Sequence, residues 1–142
     1  MINAFVDTSV LLHATGGEHP AKETSLRFLR LAEDQLVINI GAETIQEFVF
    51  HKLRTTTRKK AADYGYWLTN LAIIHSFDAD VAALAIKLIA QNEVGGRDAV
   101  LAATALNAGF SQIVTTDKKF VPVPGLRPIS PTDWLKENHE DR

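Results

Sequence analysis

The sequence predicts an α/β fold built on a parallel sheet covered on both faces, because β-rich runs alternate with stretches of helical period along the chain. Two further features agree. Residues 99–106 are apolar or small on nearly every side, as befits a helix lying against a sheet. With 142 residues and 46% hydrophobic content, the chain suits one domain of ordinary size, taken here as 1–142, with a packed core.

Ile2 to Val6 is a short apolar run ended by the polar Asp7-Thr8-Ser9, the pattern of a buried strand. Residues 21–34 carry helix formers and an apolar stripe through Leu26 and Leu29. Leu36 to Ile40 reads as a second strand. From Gly41 the period lengthens, with Ile45, Phe48 and Val49 on one helix face. The triplet Thr55-Thr56-Thr57 marks a break, after which Ala61, Tyr64, Leu68 and Leu71 form another stripe. A short strand at Ile73-Ile74 leads to Asp78, a suitable N-cap for a helix carrying Val81, Leu84, Ala85, Leu88 and Ile89. Gly95-Gly96 is expected to end that helix, and the next to start near Asp98. Residues 112–115 form a strand, 116–119 a polar turn and 127–129 a last strand; a polar tail from about 131 to 142 is expected to fray after a brief helix.

Composition removes several classes of function. No cysteine is present, so disulfides, thiolate metal sites and cysteine nucleophiles are out. The N-terminal segment lacks a basic leader, and no apolar run approaches the roughly 20 residues of a membrane helix. A soluble cytoplasmic protein with no membrane partner is the expectation. The net charge of −2 speaks at first against a nucleic-acid partner. Yet Lys52, Arg54, Arg58, Lys59 and Lys60 fall in a stretch without acids, readable as a solvated helix end or as a phosphate-contacting patch.

In parallel sheets, ligands bind beyond the C-terminal strand ends. Asp7 follows the first strand directly and Asp117 follows the fourth after a single residue, so both carboxylates should project at one edge. Asp98 belongs to a helix N-cap or first turn, where Asp also serves structure alone; Glu47, mid-helix, reads equally as a surface residue. Convergence of all four would demand cations or protonation, and hard divalent ions prefer such oxygen ligands. Thr115 and Ser9 add hydroxyls nearby, and Arg97 is placed to meet a phosphate or to lie on the surface. Competing chemistries lack their residues. His13, His19, His51, His75 and His139 give no zinc spacing, Gly16-Gly17 opens no phosphate loop, and no nucleophile elbow exists. Ser9 stands where an aspartyl-phosphate phosphatase would carry a second acid.

Four ordered blocks resemble the PIN-domain nucleases, more narrowly the VapC-type toxins of VapBC toxin–antitoxin systems. They are Phe5-Val6-Asp7-Thr8-Ser9, Gln46-Glu47-Phe48, the run from Arg97-Asp98-Ala99 to Thr104-Ala105, and Thr115-Thr116-Asp117-Lys118-Lys119-Phe120. The resemblance spans essentially the whole chain. It implies a three-layer α/β/α sandwich with a five-stranded, mainly parallel sheet, and Mg²⁺- or Mn²⁺-dependent endoribonuclease activity. It further implies assembly as a homodimer and inhibition by a cognate VapB-like antitoxin. Under it, Asp7, Glu47, Asp98 and Asp117 are the acidic quartet, Thr115 the associated hydroxyl, and Asp7 and Asp98 the direct metal ligands. Glu43, one turn earlier, rivals Glu47; the residue after the family's acid is aromatic or aliphatic, as Phe48 is. Many relatives carry an acid where this chain has Lys119, which bears on a second ion. A housekeeping PIN nuclease of RNA processing, and an inactive PIN-like module that grips RNA or protein, are the alternatives.

Overall fold

Twelve named elements run through the computed structural model, which describes residues 1–140. They are β1 (Ile2–Phe5), α1 (Thr8–Thr15), α2 (Lys22–Arg30), β2 (Leu36–Gly41), α3 (Ala42–Thr55), α4 (Arg58–Leu71), β3 (Ala72–His75), α5 (Ala79–Gln91), α6 (Gly96–Asn107), β4 (Gln112–Val114), β5 (Arg127–Ile129) and α7 (Pro131–Leu135). A 3₁₀ turn follows α2 and a π-helical turn follows α7. The tail expected to fray after a brief helix instead continues from α7 as that turn over Lys136–Glu140, with Trp134 and Leu135 buried in the core; residues 141–142 lie outside the described residues.

Every strand pairing is parallel: β1 with β2, β2 with β3, and β4 with β5. A bridge from Val6 to Val114, reinforced by Asp7 N–H donating to the Val114 carbonyl at 2.9 Å, joins β1 to β4. The strands therefore stand in the order β3-β2-β1-β4-β5, and the winding reverses between β1 and β4. Side chains of β1 alternate between two cores, as a central strand requires. Ala4 and Val6 pack with Val10, Phe28, Ile38, Phe48, Leu68 and Trp134, under α1–α4 and α7. Phe5 packs with Val81, Leu88, Leu101 and Ile113, under α5 and α6. These are the three predicted layers. No helix among the described residues is long and apolar enough to cross a membrane.

Three local expectations are corrected. Helix α1 was unforeseen, because its eight residues span barely two turns and show little periodicity; Val10, Leu11 and Ala14 are buried at helical spacing. Gly95 and Gly96 open α6 instead of closing α5, which ends at Gln91. Gly95, the N-cap, is extended at φ −74° and ψ 164°, so it needs no left-handed freedom. Lys52 does not belong to a basic surface. It is 3% exposed, and its Nζ donates to the Thr15 carbonyl at 3.3 Å while lying over the Phe48 and Tyr64 rings. The ammonium thus sits at the C-terminal end of α1, where the helix dipole favours a cation, and burial lowers its pKa.

Candidate active site

The switch between β1 and β4 sets Asp7 and Thr115 side by side at the strand ends, where open parallel sheets place their ligand sites. Asp7 is fully buried. It occupies the N-cap position of α1, yet its carboxylate caps nothing. Its Oδ2 instead accepts from Thr115 Oγ1 at 2.8 Å and Ser9 Oγ at 2.9 Å. Both hydroxyls are in turn acceptors: Asp117 N–H donates to Thr115 Oγ1 and Thr116 N–H to Ser9 Oγ, each at 3.0 Å. The turn after β4 is thereby tied to the carboxylate after β1. Lys119 N–H donates to Asp117 Oδ1 at 2.9 Å and fixes that side chain.

Asp98 lies in the first turn of α6. Burial raises its pKa, the Arg97 guanidinium pulls the other way, and Asp7 and Asp117 push it up again. The mutual repulsion sets Asp98 in the neighbourhood of Asp7 and Asp117; strand ends had paired only Asp7 with Asp117, and Asp98 rested on the family resemblance.

Glu47 joins through Arg97. The guanidinium clamps it with Nε to Oε2 at 2.6 Å and Nη2 to Oε1 at 2.7 Å, and reaches Asp7 Oδ1 and Asp98 Oδ1 at 3.5 Å each. That hydrogen-bonded pairing holds the Glu47 carboxyl below its usual pKa against the pull of burial, helped by the charge of Arg97. The same bonding raises the pKa of Arg97.

Glu43 points elsewhere. Its Oε1 meets Thr104 of α6 at 2.9 Å, its Oε2 is buried without a partner, and burial raises its pKa. Gly41 leaves room for this side chain, since a Cβ there would run into the Glu43 carboxylate. Between α3 and α6 the two glutamates border a cleft of about 420 Å³, with Thr8, Arg97 and Val100 among its walls.

Thr115, Asp7, Asp98 and Asp117 thus come together as expected, with Glu47 at the margin. Two contributors escaped the sequence reading. Arg97 was set down as a phosphate contact or a surface residue, and nothing in the sequence says it faces three acids. His13 was passed over; its Nδ1 lies 2.8 Å from Thr116 Oγ1 and its ring stacks on His19 at 3.9 Å. Ser9 and His13 stand four residues apart on α1, a signal available once that helix is recognised.

The donor set suits a hard divalent cation, being oxygen throughout, and the Oδ1 of Asp7 has no close hydrogen-bond donor. As placed, no three acidic or histidine side chains among the described residues gather tightly enough to hold an ion. The Arg97 guanidinium stands among them instead.

The sequence profile of the PIN domain matches residues 4–126. Ribonuclease VapC7 of Mycobacterium tuberculosis is 29% identical over 130 residues, covering 89% of this chain and 90% of that protein. Among solved structures, VapBC2 from Rickettsia felis, bound to a DNA fragment from its promoter, superposes with a TM-score of 0.70 at 18% identity, covering 92% of this chain and 98% of that one. VapBC-1 from nontypeable Haemophilus influenzae gives 0.71 at 14% identity, covering 93% and 99%.

Proposed function

The chain belongs to the PIN-domain family, and from that premise we propose that it is a VapC-type endoribonuclease, the toxin of a toxin–antitoxin pair, hydrolysing RNA phosphodiester bonds with Mg²⁺ or Mn²⁺. One observation carries the reading. A fully buried carboxylate, Asp7, is held by two hydroxyls at the switch point and shares its surroundings with Asp98 and Asp117. A protein gains no stability from such crowding, and a cation relieves it.

Asp7 and Asp98 would hold the ion, Asp7 through the oxygen that Ser9 and Thr115 leave uncovered. When bound, a divalent ion activates a water and offsets charge on the phosphate. Ser9 and Thr115 keep the Asp7 carboxylate in one rotamer. Asp117 and Glu47 act at the margin, orienting water toward the phosphorus. Glu43 takes no part, because it faces Thr104 in surroundings that favour its neutral form.

The partner that silences the enzyme is a VapB-like antitoxin. Homodimer formation also belongs to this proposal, supported by Tyr66 at 69% exposure and Trp67 at 37%, which leave aromatic surface uncovered on α4. The purified protein should cleave RNA with Mg²⁺ or Mn²⁺ and stop on chelation. Asp7→Asn should slow cleavage at least ~100-fold, about 2.7 kcal/mol of transition-state stabilisation. Undiminished cleavage by that variant would remove Asp7 from the site. A second reading, a PIN-like module that only binds, draws on the guanidinium standing among the acids; cleavage abolished by chelation rejects it.

A further inference from the structure

Arg97 has no part in the chemistry proposed so far, yet its guanidinium touches three of the four acids. Nε and Nη2 grip both oxygens of Glu47, at 2.6 and 2.7 Å. The remaining reach is longer: Nη2 stands 3.5 Å from Asp7 Oδ1 and Nη1 3.5 Å from Asp98 Oδ1. A bidentate pairing fixes a guanidinium in direction as well as place. Arg97 is therefore anchored on Glu47 and only leans on the other two. Those two are the carboxylates assigned to the ion, and the oxygen of Asp7 that faces Arg97 is the one its hydroxyls leave uncovered.

From this geometry we infer that Arg97 is a positioning residue that sets the affinity for the divalent ion. Its guanidinium and the ion are alternative occupants of the cluster. The inference rests on the reading of these carboxylates as an ion site. Two cations cannot share Asp7 Oδ1 and Asp98 Oδ1 at contact distance, since like charges this close repel strongly outside bulk water. Loading the ion must swing Arg97 outward. The contacts permit this, because the side chain is 47% exposed and springs from the first turn of α6, at the mouth of the cleft. Asp7 and Asp98 lose only long contacts, so the resistance to loading comes from Glu47. Without the ion, the guanidinium does the neutralising, which lets four neighbouring acids coexist in a folded chain.

The test is calorimetric titration of the purified protein with MnCl₂, comparing wild type, Arg97→Gln and Arg97→Lys, with circular dichroism to establish folding. Arg97→Gln should bind Mn²⁺ at least tenfold more tightly than wild type. Arg97→Lys keeps the charge but loses the fork, and should fall between them. In the wild type, the Arg97 Nε–H proton should exchange slowly with water in the ion-free protein and quickly once Mg²⁺ saturates it. Equal or weaker Mn²⁺ binding by folded Arg97→Gln would overturn the inference alone, as would an Nε–H signal that ignores bound Mg²⁺. If neither wild type nor variant takes up an ion, the ion-site reading itself falls, and this inference with it.

Discussion

Thr104 Oγ1 lies 2.9 Å from Glu43 Oε1 and 2.8 Å from the Val100 carbonyl. A hydroxyl has one proton and cannot donate to both. When Glu43 carries the proton it donates to Thr104 and Thr104 passes its own to Val100, which leaves only Glu43 Oε2 without a partner. The raised pKa of Glu43, driven by burial, agrees. Between the unfolded pKa and the raised folded one, the native state binds more protons, so stability falls as pH rises through that window. Glu43→Gln should therefore raise the melting temperature at pH 7.5 more than at pH 4.5, while leaving RNA cleavage intact. Glu47→Gln should lose cleavage. Equal loss from both substitutions would restore Glu43 as the acid of the site.

Thr115→Val keeps shape and removes one of the two hydroxyls on Asp7 Oδ2, together with the acceptor for Asp117 N–H. Leaving a buried charged group short of a partner costs about 1–3 kcal/mol, more where a second group is orphaned. Urea unfolding should show a loss of that size, and cleavage should slow with it. Thr115→Ser should restore both. A Val variant as stable and active as wild type would show that the Thr115 hydroxyl does not matter.

Lys52 tests the meaning of the basic stretch. Its ammonium faces inward, so Lys52→Met should leave the salt dependence of RNA binding unchanged, whereas loss of a phosphate contact lowers the log–log slope by about 0.7 on single strands. A reduced slope would return Lys52 to the RNA surface. The substitution keeps the stem against Phe48 and Tyr64 and loses the bond to the Thr15 carbonyl. An uncapped α1 should then fray first at residues 12–15, seen as faster amide exchange there.

His13 brings a pH dependence. Burial first, and His19 second, lower its pKa, so below its usual value near 6.5 the unfolded chain takes up a proton that the native state resists. Stability at His13 is fully present at neutral pH and is lost as pH falls. His13→Asn should flatten the decline in denaturation midpoint between pH 7 and pH 5. An unchanged slope would assign the decline to other groups, His51 among them, whose pKa is also lowered by burial.

Strand ends were the most legible part of the site. Asp7 and Asp117 could be paired from the sequence because a parallel sheet fixes which ends meet, and the bridge between Val6 and Val114 joins the two strands that carry them. Helix α5 was equally legible, its Val81, Ala85 and Leu88 turning inward as their spacing requires. What escaped depends on partners far along the chain. Arg97 meets Glu47 fifty residues away, and only tertiary packing decides whether an arginine beside an aspartate faces water or three acids. Lys52 shows a subtler loss. With Thr44 and Phe48 it forms a buried row at four-residue spacing, but a charged residue in such a row is discounted by any reading that sorts apolar from polar.

The idle cap of α1 has a consequence for anyone improving this protein. Asp7 stands where Ser or Asn would close the first turn of the helix and contribute about 1 kcal/mol, and its carboxylate is turned away from that task. A library varied at position 7 and ranked by heat resistance should enrich replacements that seal the helix, and under the role proposed for Asp7 every winner should have lost cleavage.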